Sequence, residues 1–218
     1  FNGPAYHVLG NHEFDNLTRD VFLASITNTG IAKEQTYYSW DAGGVHFVEL
    51  DADYTPQAPH RPYDMNTPED NFWTWKDTFV PPQEIEWLRQ DLSKSNQPTV
   101  VFTHQNLDRV DDQDHNIKNA SEVRKVLEED GQVLAVISGH DHQGGYSNIK
   151  GIHYIVLHGN VGVNDYRTWA ATSNTEGFDK KQDNQFALLE ISKGEGKEYQ
   201  LMLHGYGRQP SYSLKRKL

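Results

Sequence analysis

Three times in this chain a short apolar run ends abruptly in a cluster of metal-ligating side chains. Residues 5–9 lead into Gly10-Asn11-His12-Glu13, residues 99–103 into His104-Gln105, and residues 133–137 into Ser138-Gly139-His140-Asp141-His142. Apolar and β-branched runs of this length read as buried strands. An α/β sheet collects the ends of such strands along one edge, and the loops leaving that edge build its site. The pattern therefore predicts an α/β fold in which Asn11, His12, His104, His140 and His142 meet at a common sheet edge.

The remaining pattern fits the same class. Apolar spacing predicts helices over 17–29, 83–93 and 120–129, the last with Asn119 as cap and Gly131 as stop. Further strands are predicted over 36–40 and 45–50, joined by Asp41-Ala42-Gly43-Gly44, and over 152–157 after a Gly-rich bend. A final hairpin, 186–191 with 199–203, closes around Lys193-Gly194-Glu195-Gly196. Two polar stretches interrupt this order. Residues 51–82 carry repeated prolines with Trp73 and Trp75 between them, and residues 161–183 carry Tyr166, Arg167 and Trp169. Loops of that length are often functional. With no internal repeat and no linker, residues 1–218 are read as a single domain.

Charge and composition narrow the function. A formal net charge of -11 argues against bulk binding to nucleic acid or to an anionic membrane. No apolar run approaches the roughly 18 residues of a membrane span. Neither point excludes a small phosphorylated substrate, because bound metal ions reverse the local potential whatever the net charge. The absence of cysteine removes disulfides, thiolate metal sites and thiol catalysis, and leaves the compartment undetermined. Neutral imidazoles suit Zn, Fe, Mn or Co. His140 and His142 are two residues apart, a spacing that on extended backbone turns both rings the same way, toward two adjacent metals or around one. Isolated strand histidines such as His46, His153 and His204 read as packing or surface residues.

The order Gly-Asn-His-Glu, then His after an apolar strand, then Gly-His-x-His resembles the second half of the calcineurin-like metallophosphoesterase pattern, from Pro4 to about Val161. The text around Tyr37–Asp51 and Asn119–Val136 is similar to the branch that includes ADP-ribose/CDP-alcohol diphosphatases. The resemblance implies a β-sandwich flanked by helices, whose N-terminal strands lie outside this chain. It implies hydrolysis of a phosphoester or diphosphate bond by water activated between two divalent ions (Mn, Fe, Zn or similar). Asn11, His104 and His140 would hold one ion, and His142 would help hold the other. Asn11 would also touch the phosphate, His12 would protonate the leaving oxygen, and Glu13 would orient His12.

The family's Asp-x-His and Gly-Asp motifs do not precede Asn11, where only the residues from Phe1 to Gly10 stand. Activity is therefore expected to require motifs upstream of Phe1, with Asp51 the first candidate to replace the missing bridging carboxylate. Two alternatives stay open: a non-catalytic metal- or ligand-binding remnant, and a mononuclear zinc-type hydrolase built on His104, His140 and His142. The implied partner is a small phosphorylated molecule of nucleotide type, with no nucleic acid or membrane. Trp73, Trp75, Tyr166, Arg167 and Trp169 are the expected recognition wall, through ring stacking and a bidentate Arg–phosphate contact.

Overall fold

The computed structural model describes residues 2–64, 76–109, 114–159 and 185–218. The sheet edge that collects the polar clusters is set by parallel pairing. Strands β2 (Val45–Leu50), β3 (Thr99–Thr103), β4 (Val133–Ser138) and β6 (Ile152–Val156) run parallel. Strands β1 (Tyr38–Ala42) and β5 (Gly145–Ile149) add antiparallel edges, giving the order β1-β2-β3-β4-β6-β5. Leu50 pairs with Thr103 and Phe102 with Ile137, so the carboxyl ends of β2, β3 and β4 finish side by side.

Both faces of this sheet are covered, as its near-continuous apolar strands require. On one face Val48, Leu50, Val101 and Val136 pack with Leu88 and Leu92 of helix α2 (Pro82–Lys94) and with Val123 and Leu127 of α3 (Ala120–Asp130). Successive strand residues point to opposite faces. Val45, Val100, Ile137 and Ile155 therefore meet Ala187, Leu189, Ile191, Leu203 and Leu214 on the other side. These belong to a second sheet, β7 (Phe186–Lys193), β8 (Glu198–Tyr206) and β9 (Tyr212–Lys217), antiparallel throughout. The result is a mixed α/β fold of two facing sheets with helices outside the larger one. Gly131 ends α3 at φ 77°, the left-handed conformation expected of a glycine stop. Among the described residues no helix is long and apolar enough to cross a membrane.

Several elements depart from expectation. Residues 5–9 form no strand. Their backbone is held by side chains and by a distant turn: Asn28 Oδ1 accepts from His7 N at 2.8 Å, Ala5 O accepts from Thr29 N at 3.0 Å, and the Tyr38 hydroxyl donates to His7 O at 2.8 Å. Tyr6 stacks on Trp40 at 3.9 Å, and Leu9 is buried. The first helix is confined to α1 (Arg19–Ser25), capped by Thr18 Oγ1 accepting from Val21 N. The Gly-rich bend contains β5, and β9 follows the predicted last hairpin.

Candidate metal centre

Asn11 opens a short 3₁₀ turn, Asn11–Phe14, and is buried. His104 follows β3 directly, and His140 follows β4 after Gly139, whose N–H donates to His104 O at 3.0 Å. From these three elements three donor atoms close on one point. His104 Nε2 lies 2.8 Å from Asn11 Oδ1, His140 Nδ1 lies 3.0 Å from the same oxygen, and the two nitrogens are 3.3 Å apart. Donors on adjacent corners of an octahedron with bonds of about 2.1 Å stand about 3.0 Å apart. The triangle therefore fits a cation of Mn, Fe or Zn size. An amide oxygen is an acceptor only, and two ring nitrogens turned toward it and toward each other satisfy one another poorly through protons alone.

The electrostatics favour metal-ready rings. His104 is pushed down to about 4, first by burial and then by the charges of His12 and His142. His142 is also lowered, by burial and then by His12, against the opposing charge of Asp141. Neutral imidazoles keep the lone pair that a metal needs. Close approach is provided by glycine. A Cβ on Gly10 would stand 2.9 Å from His104 Nδ1 and 2.8 Å from Glu13 Oε2, and one on Gly159 would stand 2.7 Å from His142 Cδ2.

His140 carries the strain of the site. Its φ of 65° is left-handed, a conformation costing a non-glycine residue about 1–3 kcal/mol. The turn is closed by Asp141 N donating to Gly139 O at 2.7 Å and Gly144 N to Asp141 O at 2.9 Å.

The other expected residues have these surroundings. His12 is largely exposed, and its Nδ1 lies 2.7 Å from Asp15 Oδ2. Glu13, expected to orient it, instead accepts from Gly10 N at 2.7 Å. Asp51, the candidate replacement bridge, is fully buried against the Arg19 guanidinium and accepts from Asp53 N at 3.0 Å. Asp53 in turn accepts from Gln105 Nε2 at 2.7 Å. Burial first and the charge of Asp51 second push Glu49, Asp53 and Glu84 well above the usual carboxylate range. Among the described residues no group of three His, Cys, Asp or Glu side chains is placed to hold a metal ion, and the triangle takes its third donor from the Asn11 amide. Trp73, Trp75, Tyr166, Arg167 and Trp169 lie outside the described residues.

Two neighbours of the triangle carried no sequence signal. The His115 ring stands 5.5 Å from that of His140, edge to face. Arg109 reaches the turn that carries His140 and His142, its Nη2 donating to Gly144 O at 3.1 Å. Both sit in a polar stretch with no motif and are brought in by the path of the loop after β3. A cleft of about 890 Å³ lined by Arg19, Tyr37, Tyr54 and Trp87 shares no residue with the triangle.

In sequence and in fold the chain is similar to known proteins. A sequence model of the calcineurin-like phosphoesterase family matches residues 1–144. A manganese-dependent ADP-ribose/CDP-alcohol diphosphatase of Arabidopsis thaliana is 28% identical over 183 residues, 71% of this chain and 58% of its own length. Its namesake in Oryza sativa subsp. japonica is 27% identical over 186 residues, 72% of this chain and 58% of its own. This chain thus spans 58% of the length of each of these relatives. A crystal structure of a dimetal phosphatase from Danio rerio superposes with a TM-score of 0.70 at 20% identity, over 97% of this chain and 72% of that one.

Proposed function

We propose, from the premise that this chain belongs to the calcineurin-like phosphoesterase family, that it forms part of an enzyme hydrolysing a phosphoester or diphosphate bond with divalent metal ions. The observation carrying this reading is the triangle of Asn11 Oδ1, His104 Nε2 and His140 Nδ1. These three residues would hold one ion, and His142, two residues beyond His140, would contribute to a second. Bound metal supplies Lewis-acid polarisation of the phosphoryl oxygens and acidifies a water.

The chain's own residues supply the rest. Asn11 is a neutral donor, so it does not repel an anionic substrate as a carboxylate would. Asp15 faces His12 Nδ1, which favours a proton on that nitrogen and leaves Nε2 to exchange one with the leaving oxygen. The desolvated His104 ring stays unprotonated at neutral pH.

The two plant relatives are named for ADP-ribose and CDP-alcohols, and we assign this chain a substrate of that nucleotide diphosphate class. Trp73, Trp75, Tyr166, Arg167 and Trp169 remain the proposed wall for the nucleotide. The test is a substrate panel on the full-length protein, stripped of metal and reloaded with Mn²⁺. Hydrolysis of ADP-ribose or a CDP-alcohol well above that of a simple phosphomonoester is expected. Preference for the monoester would reject the substrate class, and absence of metal-dependent turnover on every phosphate ester would reject the enzyme reading.

A further inference from the structure

We propose that Arg109 is a positioning residue, holding the turn that presents His140 and His142 and thereby setting the metal affinity of the centre; this rests on the metal-binding reading above. His140 occupies a left-handed conformation at φ 65° and Gly144 another at φ 66°. A non-glycine residue keeps such a conformation only where its surroundings over-determine it. The hydrogen bonds among Gly139, Asp141 and Gly144 close the turn on itself.

Arg109 ties that turn to the rest of the fold. Its Nη2 donates to Gly144 O at 3.1 Å and lies 3.3 Å from Asp141 Oδ2, so one planar group grips the backbone and a side chain of the same turn. Its Nη1 stands 3.7 Å from Asp108 Oδ2, and that carboxylate is fixed by Ser147 Oγ of β5 at 2.6 Å. The arginine backbone is anchored as well, its N–H donating to Asn116 Oδ1 at 3.0 Å. Asn116 bridges Asn106, whose Oδ1 accepts from Ser138 Oγ at 2.8 Å, at the last residue of β4. The loop that starts at His104 is thereby bound to the turn that holds the other two histidines.

Space for the grip is provided by glycine. A Cβ on Gly145 would lie 2.5 Å from Arg109 Nη2. Lysine is a poor replacement, because a single ammonium lacks the rigid fork that sets Nη2 on the turn while Nη1 stands beside Asp108. Residues that orient metal ligands without touching the metal typically change affinity by about 10–100-fold when lost.

The experiment titrates Mn²⁺ into the metal-free full-length protein, followed by the EPR signal of free Mn²⁺, with thermal melts of each metal-free variant. Arg109→Ala is expected to weaken Mn²⁺ binding by about 10-fold or more. Arg109→Lys should recover only part of that loss while melting with the wild type. Wild-type Mn²⁺ affinity in a folded Arg109→Ala overturns the proposal. Should Arg109→Ala fail to fold, Arg109→Lys decides, and wild-type affinity there overturns it equally. A wild type that binds no Mn²⁺ would instead bring down the metal reading itself, an outcome distinct from unchanged affinity in the variants.

Discussion

His104 Nε2 lies 2.8 Å from Asn11 Oδ1, an approach that spans 93 positions of sequence. A carboxylate at position 11 would reach the same point with a full negative charge. Asn11→Asp is therefore expected to bind Mn²⁺ at least as tightly as the wild type. It should also lower kcat/KM by about tenfold or more, because the added charge opposes the phosphoryl group during reaction. Asn11→Ala should lose both metal and turnover. Metal titration beside steady-state kinetics separates the two, and wild-type kcat/KM in Asn11→Asp would show that neutrality at this position is not needed.

His12 stands outside the triangle, with Asp15 on its Nδ1 at 2.7 Å. Its removal should leave metal content nearly intact while lowering kcat by about 10²–10⁴-fold, the usual contribution of a general acid. The loss should shrink for nitrophenyl esters, whose leaving group needs no proton. Asp15→Asn should reproduce part of this leaving-group dependence. Equal losses across leaving groups would leave His12 with a purely electrostatic role.

His104 and His140 were legible because they follow the ends of β3 and β4, and parallel pairing forces these neighbouring strands to finish together, whereas Asn11 enters from a 3₁₀ turn after a run that pairs with no strand. The partner of His12 was not legible. Asn11–Phe14 is a 3₁₀ turn, in which residues three apart nearly eclipse. That geometry places Asp15 over His12 and Glu13 over Gly10, whereas sequence adjacency suggested Glu13 for His12. Residues 5–9 misled for another reason. An apolar run does not reveal whether its amides meet a neighbouring strand or side chains such as Asn28, which only the folded chain brings to His7. Arg109 and His115 depend wholly on tertiary path, and β5 alternates too weakly, with Gly145, Ser147 and Asn148 in its five residues, to announce itself.

His46 gives the metal-free protein a pH signature. Its Nδ1 lies 2.8 Å from Asp41 Oδ1 and its Nε2 2.9 Å from Asp91 Oδ2, so only the doubly protonated ring serves both. Burial works against that charge, but the hydrogen bonds and charges of Asp91 and Asp41 outweigh it, and the net shift is upward. A raised folded-state pKa stabilises the protonated protein. The contribution is full below the unfolded value of about 6.5 and is lost as pH rises through the folded one. The buried Glu49, Asp53 and Glu84 shift upward too and add a loss of the same sign. The diagnostic is therefore the difference between wild type and His46→Asn. Between about pH 6 and pH 9 the wild-type Tm should fall further, by a few degrees, since about 1 kcal/mol moves Tm by about 2–4 °C at this chain length. Parallel Tm curves would mean that His46 does not gain its proton affinity on folding.

Gly10 offers the sharpest separation of site geometry from fold. Its φ of -122° suits any residue, so alanine there meets no backbone strain. The obstacle is side-chain space, because the new Cβ would stand 2.8 Å from Glu13 Oε2 and 2.9 Å from His104 Nδ1. Glu13 is attached to a flexible chain and accepts from Gly10 N, and it gives way by rotating. His104 has less freedom, since its carbonyl receives Gly139 N and its Nε2 must reach Asn11 Oδ1. Gly10→Ala should therefore tilt the His104 ring and weaken Mn²⁺ binding by about tenfold or more, the scale seen when a metal ligand loses its support. The Tm of the metal-free protein should stay within a few degrees of wild type. Gly43→Ala is the control, because its φ of 58° is strained while no atom lies within 4 Å of its added Cβ. That variant should lose stability and keep metal affinity. A Gly10→Ala protein that binds Mn²⁺ as tightly as the wild type would show that His104 is not held at the spacing its ligand role demands.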